Sequence, residues 1–407
     1  MASKIYTDKQ LDLLRMWQRR ELRRINILEG SVSSGKTWIS LVLWAFWVAT
    51  MPADGSYLMV AKTLTSLRRN CLDLLQDLVG EANFTYSLSK KEGELFGRLI
   101  YLEGVNDSRA ESKIRGLTLN GAYCDELTLF TEDFFSMLLS RLRKPNAKLI
   151  STTNPDSPYH WLMEKYIYRK DELDMLVLKF LIDDNTFLDP DYITNLKKEY
   201  TGVFYDRFIL GLWVVAEGLI YPYAAEGHAT VPVDADRRYT QYNVSIDYGT
   251  LNPCSMGLWG LSEGTWYRIR EYYHSGRATK ALLTDDEYCD ELIKLIDGLP
   301  VQYVVVDPSA ASFIATIRKR THYRVLEANN AVLDGIRATA SALQQGKIKI
   351  QANCTNTLAE FGAYRWDENS QDDKPIQDND HAMDDIRYFV NTILTQTGGS
   401  FTNVRGI

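Results

Sequence analysis

Two groups of residues, far apart in the chain, have the types and spacing to do chemistry. The first is Gly30-Ser31-Val32-Ser33-Ser34-Gly35-Lys36-Thr37, which fills every fixed position of a phosphate-binding loop. It follows the apolar run Ile25–Leu28 and precedes the apolar run Trp38–Met51, the strand–loop–helix setting such a loop needs. Gly30 and Gly35 permit turns that aim the amides of this stretch, those of Ser31, Ser33 and Ser34 among them, at a phosphate, and the following helix adds its positive end. Lys36 is expected on the β- and γ-phosphates of ATP, and the Thr37 hydroxyl on Mg2+. A phosphate loop of this kind calls for an acidic strand end nearby, and Gly121-Ala122-Tyr123-Cys124-Asp125-Glu126 offers one. Asp125 would hold the magnesium through water and Glu126 would orient and activate the attacking water, which implies hydrolysis rather than transfer to an acceptor. Acidic pairs are common on solvated helix faces, so the small-residue strand before this one is what singles it out. Ser151, Thr152 and Thr153 close another candidate strand and either sense the γ-phosphate or form a plain turn. An arginine at the γ-phosphate is worth about 10³–10⁵ in rate. Arg115, Arg141 and Arg143 are the candidates, and Gln10 is a candidate for reading the adenine edge.

The second group is acidic. Asp247 ends the run "VSID" and Asp307 ends "VVVD", each either a turn former or a functional group at the carboxyl end of a strand. His381, Asp384 and Asp385 open a later helical run, with His381 and Asp384 three apart and so on one face. If the two strands are neighbours, about 4.8 Å apart, Asp247, Asp307 and Asp384 together could hold one or two Mg2+ or Mn2+ ions. Two such ions about 3.5–4 Å apart would activate water and stabilise the leaving oxygen in phosphodiester cleavage. His381 would be an outer ligand or proton shuttle. An aspartate that merely caps a helix is the plain alternative for Asp384.

The elements that must position these groups fall into two halves of the 407 residues. Ile25–Leu28, Tyr57–Val60, Leu99–Leu102, Ala122–Cys124 and Lys148–Ile150 read as strands. Helical patterns such as "SLRRNCLDLLQDLV" and "EDFFSMLLSRLR" lie between them, which argues for a parallel sheet covered by helices. The period breaks around Leu212–Tyr242, where Pro, Gly and turn formers accumulate. Beyond it come the strand "YNVSID" and a hairpin of "SMGLWGL" and "TWYRIREYY" about the turn "SEG". A helix with a capping box from Thr284 to Glu287 follows. The strand "VQYVVVD", a helix, the strand "YRVLEA", the helix "LDGIRATASALQQ", the strand "KIKIQA" and two more helices complete the half. Three antiparallel strands followed by alternating helix and strand is the element order of a ribonuclease-H-like fold.

Bulk composition adds limits. With 45% hydrophobic and 24% charged residues the chain is an ordinary globular one, and Trp38–Met51 is too short to span a bilayer. The charged start carries no signal-peptide pattern, and the five cysteines show no close pairing, so a reducing cytosol is expected rather than zinc knuckles or disulfides. A net charge of −7 argues against a uniformly basic coat but not against a local groove for DNA.

Several stretches of the sequence resemble the large terminase subunit of tailed bacteriophages, the ATPase–nuclease of DNA packaging. They are "GSVSSGKT", "SKIRGLTLNGAYCDE", "STTNPDSPYHWL", Asp183–Pro222, "SIDYG", "VVVDPS" and "DHAMDDIRY", so the resemblance covers nearly the whole chain. It implies an α/β chain with an N-terminal P-loop (RecA/ASCE-like) ATPase domain over 1–215, including a linker subdomain at about 180–215. A linker at 216–240, a C-terminal RNase H-like (RuvC-type) nuclease domain over 241–396 and a flexible tail at 397–407 would follow. Lys36 and Thr37 would bind ATP, Asp125 Mg2+, and Glu126 would be catalytic. Ser151–Thr153 would couple hydrolysis to motion, and Asp247, Asp307 and Asp384 would form a nuclease cluster in which Mn2+ substitutes for Mg2+. The implied partners are double-stranded DNA touched on its backbone, the portal protein of the procapsid and a small terminase subunit. The implied assembly is a homo-oligomeric ring, a pentamer, on the portal, formed by a chain expected as a monomer in solution. The implied place is the cytoplasm of the infected bacterial host, without a membrane and not in the mature virion. Many relatives carry a basic residue inside the phosphate loop where this chain has Val32, so the stimulating arginine is expected from Arg141 or Arg143 of a neighbouring subunit, or from Arg115 of the same chain. The rival readings are a helicase or translocase of another class, which lacks a second motor domain here, and a structural portal-binding protein with a vestigial ATP site.

Overall fold

A computed structural model describes residues 5–52, 55–105, 110–250, 252–276, 281–368, 370 and 372–395; the expected tail at 397–407 lies outside these. The chain forms two compact units. One holds the chain up to Ile193 together with Val203–Val215, and the other Thr194–Gly202 with the chain from Ala216 onward.

The first unit is built on β1 (Ile25–Gly30), β2 (Ser56–Ala61), β3 (Phe84–Ser87), β4 (Glu92–Leu95), β5 (Arg98–Gly104), β6 (Leu119–Cys124), β7 (Lys148–Thr153) and β8 (Met175–Phe180). They form one sheet in the order β3-β4-β5-β2-β6-β7-β1-β8, parallel from β5 to β8 and antiparallel at the β3–β4–β5 edge. All five expected strands lie within this sheet. The β3–β4 hairpin was not legible, because short mixed runs such as "EGEL" bury only alternate residues against an edge, and β8, although a largely apolar run, was not among the expected strands. Every residue of β1 and β6 is buried, as a parallel sheet covered on both faces requires. The apolar run after the phosphate loop is the helix Lys36–Thr50, whose Trp44 packs edge-on against Tyr57. Gly30 pairs with Phe180 across β1 and β8 at φ 129°, and a Cβ there would stand 1.9 Å from the Phe180 carbonyl oxygen. Only glycine fits.

The second unit contains β9 (Thr230–Val231), β10 (Gln241–Asp247), β11 (Cys254–Ser262), β12 (Thr265–His274), β13 (Val301–Val306), β14 (Arg324–Glu327) and β15 (Ile348–Gln351). Their order is β14-β13-β10-β11-β12-β15-β9. The β10–β11–β12 meander is antiparallel, and β13 then β14 add in parallel on the far side of β10, which is the expected ribonuclease-H-like arrangement. The β11–β12 turn has positive φ at both Glu263 and Gly264, the tight hairpin geometry that matches strand twist. Thr284 and Glu287 form the expected capping box on the helix Asp285–Ile296.

The helix His381–Phe389 lies on β10 and β11, with the Phe389 ring stacked on Trp259 at 4.2 Å. Asp385, fully buried, accepts from Ser245 Oγ at 3.0 Å and Arg268 Nη2 at 2.9 Å, and closer still from Ser255 Oγ and Arg268 Nη1. Gly257 makes room for that guanidinium, since a Cβ there would collide with Arg268 Nη1. The five cysteines are free and buried, and among the described residues no helix is long and apolar enough to cross a membrane.

Removing one partner of a fully buried ion pair strands the other charge. Asp385→Ala is therefore expected to cost about 3–5 kcal/mol in denaturant unfolding; a change near zero would show that Arg268 finds other compensation.

Candidate active sites

In the first unit a parallel sheet aims the carboxyl ends of β1, β6 and β7 in one direction, and three short polar stretches meet there. The loop Gly30–Gly35 leaves β1 with left-handed backbone at Ser33 (φ 54°) and Gly35 (φ 80°). Lys36 Nζ is buried and turned back onto the loop. It donates to the Gly30 carbonyl at 3.1 Å, more closely to the Ser31 carbonyl, and to Ser34 Oγ at 3.3 Å and Asn154 Oδ1 at 3.1 Å. Three ammonium protons thus face four acceptors. Burial lowers its pKa to about 7, against the opposing charges of Glu126, Asp125 and Glu29.

Asp125 follows β6 and is 2% exposed. Its Oδ1 accepts from Thr152 Oγ1 at 2.9 Å and its Oδ2 from Asn70 Nδ2 at 3.0 Å. Burial raises its pKa, although these donors and the Lys36 charge work the other way. Glu126 has left-handed backbone, φ 54°, uncommon for a residue with a side chain. Its N–H donates to Thr152 Oγ1 at 3.3 Å, and Thr128 N–H donates to Thr153 Oγ1 at 3.1 Å. The end of β7 therefore touches all three chemical groups: Asn154 on Lys36, Thr152 on Asp125 and Glu126, Thr153 on the segment beyond.

The segment after β8 grips the loop from outside. Asn185 Nδ2 donates to the Ser33 carbonyl at 2.8 Å, Tyr192 Oη and Ser33 Oγ share a hydrogen bond of 3.0 Å, and Val32 N–H donates to the Phe208 carbonyl at 2.8 Å. Trp213 Nε1 donates to Glu29 Oε2 at 2.7 Å. Gln10 lies against Gly35, whose Cβ would stand 2.8 Å from its Nε2, while its Oε1 accepts from Thr7 N–H in a helix cap. Arg115 pairs with Glu111, Arg141 Nη1 holds the Arg115 carbonyl, and exposed Arg143 donates to the Ser140 carbonyl. None of these arginine bonds reaches the loop. A nucleotide fits the loop's chemistry: Ser31 Oγ is buried with no hydrogen-bond partner among the described residues, and Thr37 stands half-buried at the start of the helix.

In the second unit Asp247 ends β10 and Asp307 follows β13, level with it because Ile246 pairs with Val306. Asp247 Oδ2 is 2.8 Å from His381 Nδ1. Burial first, then the charge of Asp384, raise Asp247 to about 7 in spite of His381. Burial opposes a charge on His381, but the bond and charge of Asp247 outweigh it and raise its pKa. Asp307 accepts from the Ser309 N–H and Oγ, and Asp384 Oδ1 accepts from Arg387 Nη2 at 2.9 Å and Nε at 3.2 Å. Glu360 holds the start of the last helix, accepting from Ala382 and Met383 N–H, and takes the Tyr273 hydroxyl on its other oxygen. Each of the three expected carboxylates thus has its own partner, and among the described residues no three His, Cys, Asp or Glu side chains are grouped to hold a metal ion. The donor chemistry suits a hard divalent ion all the same: oxygens with one imidazole, and a buried carboxylate pushed up partly by a second one. Sequence reasoning missed Asn70, Asn154, Asn185, Tyr192, Glu360 and Arg387. Asn154 carried a signal as the residue directly after Thr153, and Asn185, Tyr192 and Arg387 lay in stretches that carried the family resemblance without being singled out.

Fold and sites define a chain that joins a P-loop ATPase fold to a ribonuclease-H-like fold. It belongs to the phage large terminase family. The family described as phage terminase large subunit matches residues 23–207. The large terminase of a thermophilic bacteriophage is 37% identical, with a TM-score of 0.90 over 96% of this chain and 100% of that one. The same thermophilic phage protein solved with ADP and with ATP-γ-S gives TM-scores of 0.88 and 0.87. The large terminase subunit of Escherichia phage T5 is 24% identical over 277 residues, 64% of this chain, and that match spans only 61% of the T5 protein.

The lowered pKa of Lys36 has a measurable consequence. Phosphates binding to Lys36 favour its charged form, so between about pH 7 and 10 nucleotide binding takes up a proton, whereas below about pH 6 the amine is already charged and uptake vanishes. Calorimetric titration with ADP at about pH 8 in buffers of different ionisation enthalpy should show uptake approaching one proton, absent in Lys36→Met. Zero uptake at that pH would contradict the lowered pKa of Lys36.

Proposed function

We propose that this chain is the motor and nuclease of viral DNA packaging: it hydrolyses ATP to move double-stranded DNA into a procapsid and cuts concatemeric DNA. The observation that carries the motor reading is the bonding of Lys36, Asp125 and Glu126 to the single strand end Thr152–Asn154. Such an arrangement lets one strand register what lies on the phosphate loop. Gly30–Thr37 would hold the ATP phosphates, Thr37 and Asp125 the Mg2+, and Gln10 would approach the base. Glu126 takes the proton of the attacking water. Arg143, exposed just beyond the helix Glu132–Arg141, is the arginine best placed to serve a neighbouring subunit's nucleotide, since Arg141 is bonded to the Arg115 carbonyl.

For the nuclease, Asp247, Asp307 and Asp384 would hold Mg2+ or Mn2+, which when bound supplies an activated water and neutralises the leaving oxygen. His381 holds or passes a proton at Nδ1 beside Asp247. DNA would be touched on its phosphate backbone rather than its bases. The portal protein, a small terminase subunit and a homo-oligomeric ring complete the reading, in the cytoplasm of the infected host.

DNA-stimulated ATP hydrolysis should fall at least about 100-fold in Glu126→Gln while ADP still binds, and undiminished hydrolysis would sink the motor reading. Asp247→Ala and Asp307→Ala should each abolish Mn2+-dependent plasmid cleavage and leave ATP hydrolysis intact. Cleavage that persists in both would remove the nuclease reading.

A further inference from the structure

The helix that follows β2 is not uniform. Leu64–Leu67 and Asp73–Val79 are α-helical, but Arg68–Leu72 between them is a widened turn in which Asp73 N–H reaches back five residues to the Arg68 carbonyl. Widened turns of this kind occur mostly as single insertions in α-helices and frequently at functional sites, because the inserted residue redirects its neighbours. Here the residues redirected are Asn70 and Cys71. Asn70 is half-buried and its Nδ2 donates to Asp125 Oδ2 at 3.0 Å. Cys71 is fully buried, and burial together with the Asp125 charge keeps it a thiol that also faces Asp125. The preceding residues of the turn, Arg68 and Arg69, are exposed.

We propose that Asn70 is a positioning residue for ATP hydrolysis, fixing the Asp125 carboxylate in the orientation that holds magnesium. This rests on the ATPase reading above. Asp125 is almost out of water, so each of its oxygens needs a donor. Thr152 supplies one oxygen from β7 and Asn70 the other from the widened turn, which leaves each oxygen a further lone pair for a metal-bound water. Without the amide, Oδ2 is a buried acceptor that has lost its strong donor, and the carboxylate is held only by Thr152 and the weaker Cys71 thiol. Partners of this type, one step removed from the metal, typically carry about 10- to 100-fold in metal affinity or activity. Thr152 and Asn70 come from different elements, so together they set the carboxylate plane as neither does alone.

The test uses the full chain and three readouts: steady-state ATP hydrolysis with Mg2+ titrated, binding of a fluorescent ADP analogue in EDTA, and thermal melting. For Asn70→Leu, which keeps size and removes the donor, kcat should fall about 10- to 100-fold and the Mg2+ concentration for half-maximal rate should rise about tenfold. Metal-free binding of the ADP analogue should stay within about twofold of wild type. If Asn70→Leu does not fold, Asn70→Ser, too short to reach Asp125, is read the same way. Unchanged kcat and Mg2+ dependence would overturn the proposal, and so would a parallel loss of metal-free binding and melting temperature, which would make Asn70 merely structural. A wild-type protein without ATP hydrolysis would instead overturn the reading on which it rests, and the role of Asn70 with it.

Discussion

An ammonium group taken out of water must be met by oxygens, and in the first unit Lys36 imposes that constraint on everything around it. Two of its acceptors are carbonyls of the loop, Gly30 and Ser31, which must turn inward and so require the Gly30 and Gly35 conformations. A third comes from Asn154 at the end of β7, which ties the loop to the strand that also holds Asp125. The parallel sheet makes this possible, because it delivers the ends of β1, β6 and β7 to one place. Phosphate oxygens entering the loop compete with these acceptors for the same three protons. In the proposed ATPase the contact between Lys36 and Asn154 would be the point at which nucleotide and β7 meet.

The second unit handles charge by separating two adjacent residues. Asp384 and Asp385 are neighbours in sequence, but about 100° apart around their helix. Asp385 points into the sheet, where Arg268, Ser245 and Ser255 satisfy it, and it fastens the helix to β10 and β11. Asp384 stays half-buried on Arg387 and bears on Asp247 through its charge. Glu360 fixes the start of the same helix, and with it the place of His381. A residue that anchors and one that faces the candidate site thus share a single helical turn.

Much of this was legible in the sequence where local pattern and fold agree. Strands that carry a buried apolar run, such as Val304–Val306 of β13, stand out because burial on both faces leaves no alternation to misread there. The phosphate loop, the Asp125–Glu126 pair and the capping box at Thr284 are short local patterns whose chemistry lies within a few residues. The edge hairpin β3–β4 was not legible because its residues are only partly covered, and β8 and β9 were not because their partners β1 and β15 are remote in sequence. The same remoteness hid Asn70, Asn185 and Tyr192, ordinary polar residues until the fold places them 55 to 159 positions from their partners. Asp385 shows the converse. Its sequence context is that of its neighbour Asp384, and only packing assigns it to the core.

The most direct measurement is a structure of the full chain with ATP-γ-S and Mg2+. Lys36 Nζ should leave the Ser31 carbonyl and Asn154 for the phosphate oxygens, Thr152 and Asn70 should remain on Asp125, and the metal should lie between Thr37 and Asp125. A nucleotide bound with Lys36 still on the Gly30 and Ser31 carbonyls, or a metal remote from Thr37 and Asp125, would contradict the central role given to the buried lysine.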